Sequence, residues 1–249
     1  PDVILWADTF SRYFEPENLN AAVQVLRAGG YKVQFAKPAD GGRALCCGRT
    51  FLASGLIDEA RTEARRVLES FAPHIAEGVP VVGLEPSCLL TLRDEFQALL
   101  PGAESQALAQ NSFLIEEFLA RELDAGRLQL PLQAITEKKA LLHGHCHQKA
   151  FAVMGSVEKI LAEVPELDVE SIDSSCCGMA GAFGYAEETV DVSKKMAETD
   201  LLPAVRKAEK DTLIVADGTS CRHQIDDGTA RQALHVVRVL EQALIPSKG

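Results

Sequence analysis

The sequence predicts an α/β fold made of two pseudo-repeated lobes, each a small parallel sheet with flanking helices and its cysteine loops at the strand carboxyl ends. Three observations predict it. Short β-branched runs alternate with stretches of helical period, turn chemistry closes each run, and the cysteines recur in the same order in both halves.

The runs come first. Val3–Ala7, Tyr31–Ala36 and Val79–Leu84 occupy the first half of the chain, and Lys139–His143, Leu167–Ile172 and Thr212–Ala216 the second. Each is strand-length and ends in loop residues. Between them, Asn18–Ala28, Ile57–Phe71 and Thr229–Leu244 carry apolar residues at helical spacing. Asp58-Glu59 near the start of the second and Arg65-Arg66 further along suit the helix dipole. Strands alternating with helices imply βαβ units and a parallel sheet. Residues 1–125 form the expected first lobe and 126–249 the second, with a connecting helix and linker expected between Pro101-Gly102 and Pro131.

The 249 residues bury a core without disulfide staples. Hydrophobic residues at 47% and charged residues at 24% exclude disorder and collagen. No apolar run approaches the ~20 residues that a membrane span needs. The net charge of −11 repels phosphate backbones and argues against a nucleic-acid partner. The start at Pro1-Asp2-Val3 reads as a domain of a longer polypeptide, with no targeting signal legible.

Seven cysteines carry the functional signal: Cys46, Cys47, Cys88, Cys146, Cys176, Cys177 and Cys221. An odd count in a chain this large argues against a secreted disulfide scaffold. Adjacent residues are poor disulfide partners, because their Cα atoms stand only ~3.8 Å apart. Two vicinal pairs can instead aim two sulfurs at one centre. Each cysteine follows a strand run, at the sheet edge where open α/β folds place their ligands. The second half, Cys146, Cys176-Cys177-Gly178, Cys221, offers four thiolates from three loops. That is the ligand count of an iron–sulfur cluster, [4Fe–4S] or [2Fe–2S], and equally of a structural zinc. The bland alternative is cysteines packed as small hydrophobes.

Gly178 would bring backbone N–H groups close to the sulfurs. The first half has three cysteines, with Asp8 at the end of its first strand in place of a leading cysteine, and reads as a degenerate copy. In His143-Gly144-His145-Cys146-His147, His145 or His147 is a candidate ligand or proton carrier, and His223 stands two residues past Cys221. The alternative is that these rings satisfy loop carbonyls. His74 and His235 fall in helical pattern. Gly178–Gly184 lacks the Lys-Ser/Thr of a phosphate loop, and Glu187-Glu188 reads as a solvated face.

These residues resemble the duplicated cysteine-rich CCG domain. It occurs in the cysteine-rich subunit of heterodisulfide reductase, in the glycolate oxidase iron–sulfur subunit, and in the iron–sulfur proteins of lactate utilisation and anaerobic glycerol-3-phosphate oxidation. The stretches Ala7–Pro16, Cys46–Phe51 and His143–Lys149 look closest to the C-terminal part of fused FAD-linked oxidase/iron–sulfur proteins of the D-lactate, glycolate or D-2-hydroxyglutarate dehydrogenase type. The resemblance implies an electron-transfer part of an oxidoreductase with no complete active site of its own. FAD would sit in a separate domain or subunit, beside a ferredoxin-like module. Electrons would pass to a quinone or another carrier. The location would be cytoplasmic, or peripheral at the inner membrane. Copies in the heterodisulfide reductase branch end in C-x-x-C. Here Cys221 is followed by Arg222-His223-Gln224 and Cys88 by Leu89-Leu90-Thr91, so disulfide-cleaving chemistry does not carry over. A conventional cluster or zinc in the second lobe does. The other reading is a zinc-stabilised docking module without a redox role. A thiol–disulfide relay would leave Cys146 and Cys221 unexplained.

Overall fold

A computed structural model describes residues 2–246. The chain divides into two compact units, at Gln129 and Leu130. Each unit holds one four-stranded, all-parallel sheet flanked by helices.

The first unit contains β1 (Asp2–Leu5), β2 (Lys32–Phe35), β3 (Val81–Gly83) and β4 (Ser112–Leu114), in the order β2-β1-β3-β4. Val3, Ile4 and Leu5 of β1 are fully buried, as expected for a central parallel strand covered on both faces. Helices Pro16–Ala28 and Ile57–Ala76 supply Val25, Leu26, Val67 and Phe71 to the core. Burying each such side chain contributes about 1.5–3 kcal/mol.

The second unit repeats the plan with β5 (Lys139–His143), β6 (Asp168–Ser171), β7 (Leu213–Ala216) and β8 (Ala233–Leu234), in the order β6-β5-β7-β8. The edge strand β6 reads Asp-Val-Glu-Ser and is largely exposed. Charged side chains on an edge discourage further strand pairing.

The six expected strand runs all contain strands. Three segments differ from expectation. Ser112–Leu114 pairs with β3, so the stretch expected to link the lobes completes the first sheet instead. The helical period over 229–244 is broken: helix Thr219–Thr229 ends at Ala230, which is left-handed at φ 55°, and β8 follows before helix Val236–Ala243. Beyond the second CCG, residues 179–185 form turns rather than a helix start.

The two units share one register. Leu5 pairs with Val82 as Leu142 pairs with Val215. Short helices Thr9–Tyr13 and Cys146–Ala150 follow β1 and β5, each started by a side-chain cap, Asp8 and His145 respectively. Helices Pro86–Arg93 and Thr219–Thr229 follow β3 and β7, with Cys88 and Cys221 at their third positions.

Candidate metal centre

The second-unit site is assembled at the carboxyl edge of β5 and β7. Past β5, His145 caps the helix that begins at Cys146. Its Nδ1 accepts from His147 N at 3.1 Å, while its own N–H donates to Gln148 Oε1 at 3.0 Å. Gln148 Nε2 then donates to Asp217 Oδ2 at 2.8 Å, just past β7. Asp217 is 1% exposed; its Oδ1 accepts from Val236 N at 2.9 Å and lies 3.5 Å from His235 Nδ1. One buried carboxylate therefore ties three segments together. The guanidinium of Arg222, beside Cys221, donates to Ala216 O at 2.8 Å and Asp217 O at 2.7 Å. These bonds fix the helix that presents Cys221.

The CCG loop is clamped from both sides. Lys149 Nζ donates to the carbonyls of Ser174 and Ser175. Gln224 Nε2 donates to Cys177 O at 2.9 Å and Ser193 Oγ at 3.1 Å. Gly178 has φ 91°, and a Cβ there would collide with Ser193 O. Its N–H donates to Cys176 Sγ at 3.3 Å. Gly181 is also left-handed, at φ 69°, but a Cβ there meets open space. Gly181→Ala is therefore expected to cost about 1–2 kcal/mol, the left-handed penalty alone. Gly178→Ala is expected to cost at least ~1 kcal/mol more and to displace Cys176. Thermal denaturation of the two variants checks this; equal losses would show that the Ser193 contact does not matter.

Four sulfurs meet in a chain. Cys146 and Cys176 are near enough to shift each other's titration, Cys176 adjoins Cys177 in the chain, and Cys177 Sγ lies 3.3 Å from Cys221 Sγ. Cys146 and Cys176 are half-buried, whereas Cys177 and Cys221 are buried. The sulfurs split by protonation. Cys146, Cys177 and the Gly178 N–H beside it pull Cys176 well down, and Cys177 together with the adjacent imidazoles of His143 and His145 does the same for Cys221. Cys146 and Cys177 are pushed up by their sulfur neighbours and by burial. So many thiolates this close ionise together only when a cation offsets their repulsion.

Among the described residues, one group of His, Cys, Asp or Glu converges tightly enough to hold a metal ion. It is His143, Cys177 and Cys221, all buried, with their donor atoms within 4.8 Å of one another. The other histidines lie around this group rather than in it. His145 packs against Gly218, which has no side chain to block the ring or Cys221 Sγ. The His147 ring sits 5.1 Å from that of His145, and His223 Nδ1 is 3.0 Å from Tyr185 OH. His235, expected on a helix, caps one instead and is buried beside Asp217. A soft sulfur set with a buried imidazole fits zinc or an iron–sulfur cluster.

The first unit keeps the scaffold with fewer donors. Cys47 Sγ and Cys88 Sγ lie 3.5 Å apart, Gly48 is left-handed at φ 76°, and its N–H points to Cys46 Sγ at 3.5 Å. The register corrects the place of Asp8. Asp8 occupies the capping position of His145, and Thr9 stands where Cys146 does. The Thr9 side chain hydrogen-bonds Cys46. By the same count Trp6 replaces His143 and packs edge-on against Phe71, centroids 6.2 Å apart. Burial and the charge of Glu85 push Asp8 up to about 6. Hydrogen bonding to Cys47 lowers Cys88, but burial, Asp8 and Glu85 outweigh it and leave the thiol at about 11.

A family model described as CCG, cysteine-rich domain, matches residues 9–93 and 140–226. The chain is 30% identical over 238 residues to a subunit of the anaerobic glycerol-3-phosphate dehydrogenase of Escherichia coli K12, covering 94% of this chain and 57% of that protein. It is 27% identical over 258 residues to lactate utilization protein A of Exiguobacterium sp., covering 98% of it. It is 30% identical over 243 residues to D-2-hydroxyglutarate dehydrogenase of Pseudomonas putida, covering 22% of it. The chain thus spans little more than half of one relative and about a fifth of another. Two matched ranges, each ending in its own cysteine-bearing helix, mean that this chain belongs to the CCG cysteine-rich domain family and carries the domain twice.

Proposed function

We propose that the chain is the cysteine-rich electron-transfer part of a dehydrogenase, with its metal centre in the second unit. The observation that carries the reading is the meeting of Cys146, Cys176, Cys177 and Cys221 at one sheet edge, with His143 buried against the inner sulfur pair. Bound there, an iron–sulfur cluster, [4Fe–4S] first, supplies one-electron carriage. The protein's own part is to hold the sulfurs, to donate Gly178 N–H to Cys176 and to exclude water from Cys177 and Cys221. The first unit, with Thr9 and Trp6 in place of two donors, serves as scaffold.

The names of the relatives support a dehydrogenase of a hydroxylated substrate, a 2-hydroxy acid in the lactate and 2-hydroxyglutarate cases. FAD would be carried by a separate domain or subunit, next to a ferredoxin-like module, with a quinone or other carrier as acceptor. No described helix is long and apolar enough to cross a membrane. A cytoplasmic place, peripheral at the inner membrane, is part of this reading. The second reading is zinc in a docking module, favoured by the compactness of the His143, Cys177 and Cys221 group.

Iron, sulfide and zinc quantification with an absorption spectrum, on protein purified without oxygen, tests both. Iron with matching sulfide and broad visible absorption supports the cluster. Zinc without colour supports the docking module. Neither metal in stoichiometric amount overturns the metal centre.

A further inference from the structure

His143 closes β5 and is completely buried, yet only half of its ring is accounted for. Nδ1 lies 2.9 Å from Ser174 Oγ. Nε2 has no oxygen or nitrogen partner. A buried polar nitrogen left unmatched destabilises the fold, so the position needs a reason. The Cys177 and Cys221 sulfurs beside the ring provide one. The first unit points the same way. There the register position of His143 holds Trp6, whose indole nitrogen is a donor only and cannot ligate, and the position of Cys146 holds Thr9. The copy that lacks the leading cysteine also lacks the imidazole.

We propose that His143 Nε2 is a metal ligand, forming with Cys177 and Cys221 a mixed nitrogen–sulfur donor face for zinc or for one iron of a cluster. The inference rests on the reading that the second unit holds a metal centre. With Ser174 Oγ as acceptor for Nδ1–H, 2.9 Å away, the imidazole takes the tautomer whose Nε2 lone pair is free for a metal. A neutral imidazole in place of a thiolate makes the centre less negative, which raises the potential of a cluster.

The test uses the metal-free full chain, handled without oxygen and titrated with Co²⁺ alone, read by its ligand-field and sulfur-to-cobalt absorption. Wild type binds Co²⁺ with thiolate charge transfer. His143→Ala is expected to weaken binding by more than ~100-fold, beyond the about 10–100-fold that loss of an outer hydrogen-bond partner costs. His143→Cys keeps a donor at the position; it restores tight binding and adds charge-transfer intensity. Wild type with ¹⁵N-labelled histidine shows strong nitrogen coupling in pulsed electron paramagnetic resonance of bound Co²⁺, and His143→Cys loses it. That labelling experiment stands even if His143→Ala fails to fold. Binding in wild type without nitrogen coupling, or a loss in His143→Ala within the smaller range, overturns the role of His143 and leaves the metal centre standing. No Co²⁺ binding in wild type overturns the metal centre itself.

Discussion

Cys176→Ser is expected to leave the purified chain with less than about a tenth of the wild-type metal, while Cys46→Ser retains nearly all of it. Serine preserves size and can still accept the Gly178 N–H that now points at Cys176 Sγ, so the loop keeps its shape. It loses a soft thiolate from the middle of the sulfur chain, between Cys146 on one side and Cys177 on the other. Cys46 has a different setting. Its neighbour across the loop is the Thr9 side chain, and the first unit offers three sulfurs in all. Metal analysis of both variants decides the matter. Equal depletion would defeat the asymmetry between the two units, and no depletion in either would remove the metal from these cysteines.

The second large effect is on stability. Asp217→Ala is expected to destabilise the metal-free second unit by about 3–5 kcal/mol, the range for breaking a buried charged network. The carboxylate is the acceptor for both Gln148 Nε2 and Val236 N, and each donor left buried and unmatched costs about 1–3 kcal/mol. Asp173→Ala, at an exposed position of the CCG loop, serves as control and is expected within about 0.5 kcal/mol of wild type. Denaturant titration of both variants reads the difference. A change below ~1 kcal/mol for Asp217→Ala would show that apolar packing alone holds the cysteine loops in place.

What could be read from residue order was whatever leaves a local pattern. Six strands announced themselves by short, largely apolar runs closed by turn residues, and the cysteines by following those runs. Ser112–Leu114 and Ala233–Leu234 did not, because strands of three and two residues are too short to show alternation and form only when a longer neighbour pairs with them. Ala233, Leu234 and Val237 also fit a helical period, and only the left-handed Ala230 shows where that period breaks. Matching the halves by residue type set Asp8 against a cysteine. Matching them by strand register sets it against His145. His143 escaped notice among three alternating histidines because its distinction is depth, and depth at a strand end is decided by what packs over it.

The sulfur chain runs from a wet end to a dry one. Cys146 and Cys176 are half-buried, and Cys177 and Cys221 are sealed beneath them. Chemical damage therefore has a direction. An alkylating reagent or peroxide presented to the metal-free protein meets the outer two positions first, and the inner pair becomes reactive only after the loop has lifted. The native protein should consume reagent in two phases, and mass spectrometry of the early phase should find label at the accessible thiolate Cys176 but not at Cys177 or Cys221.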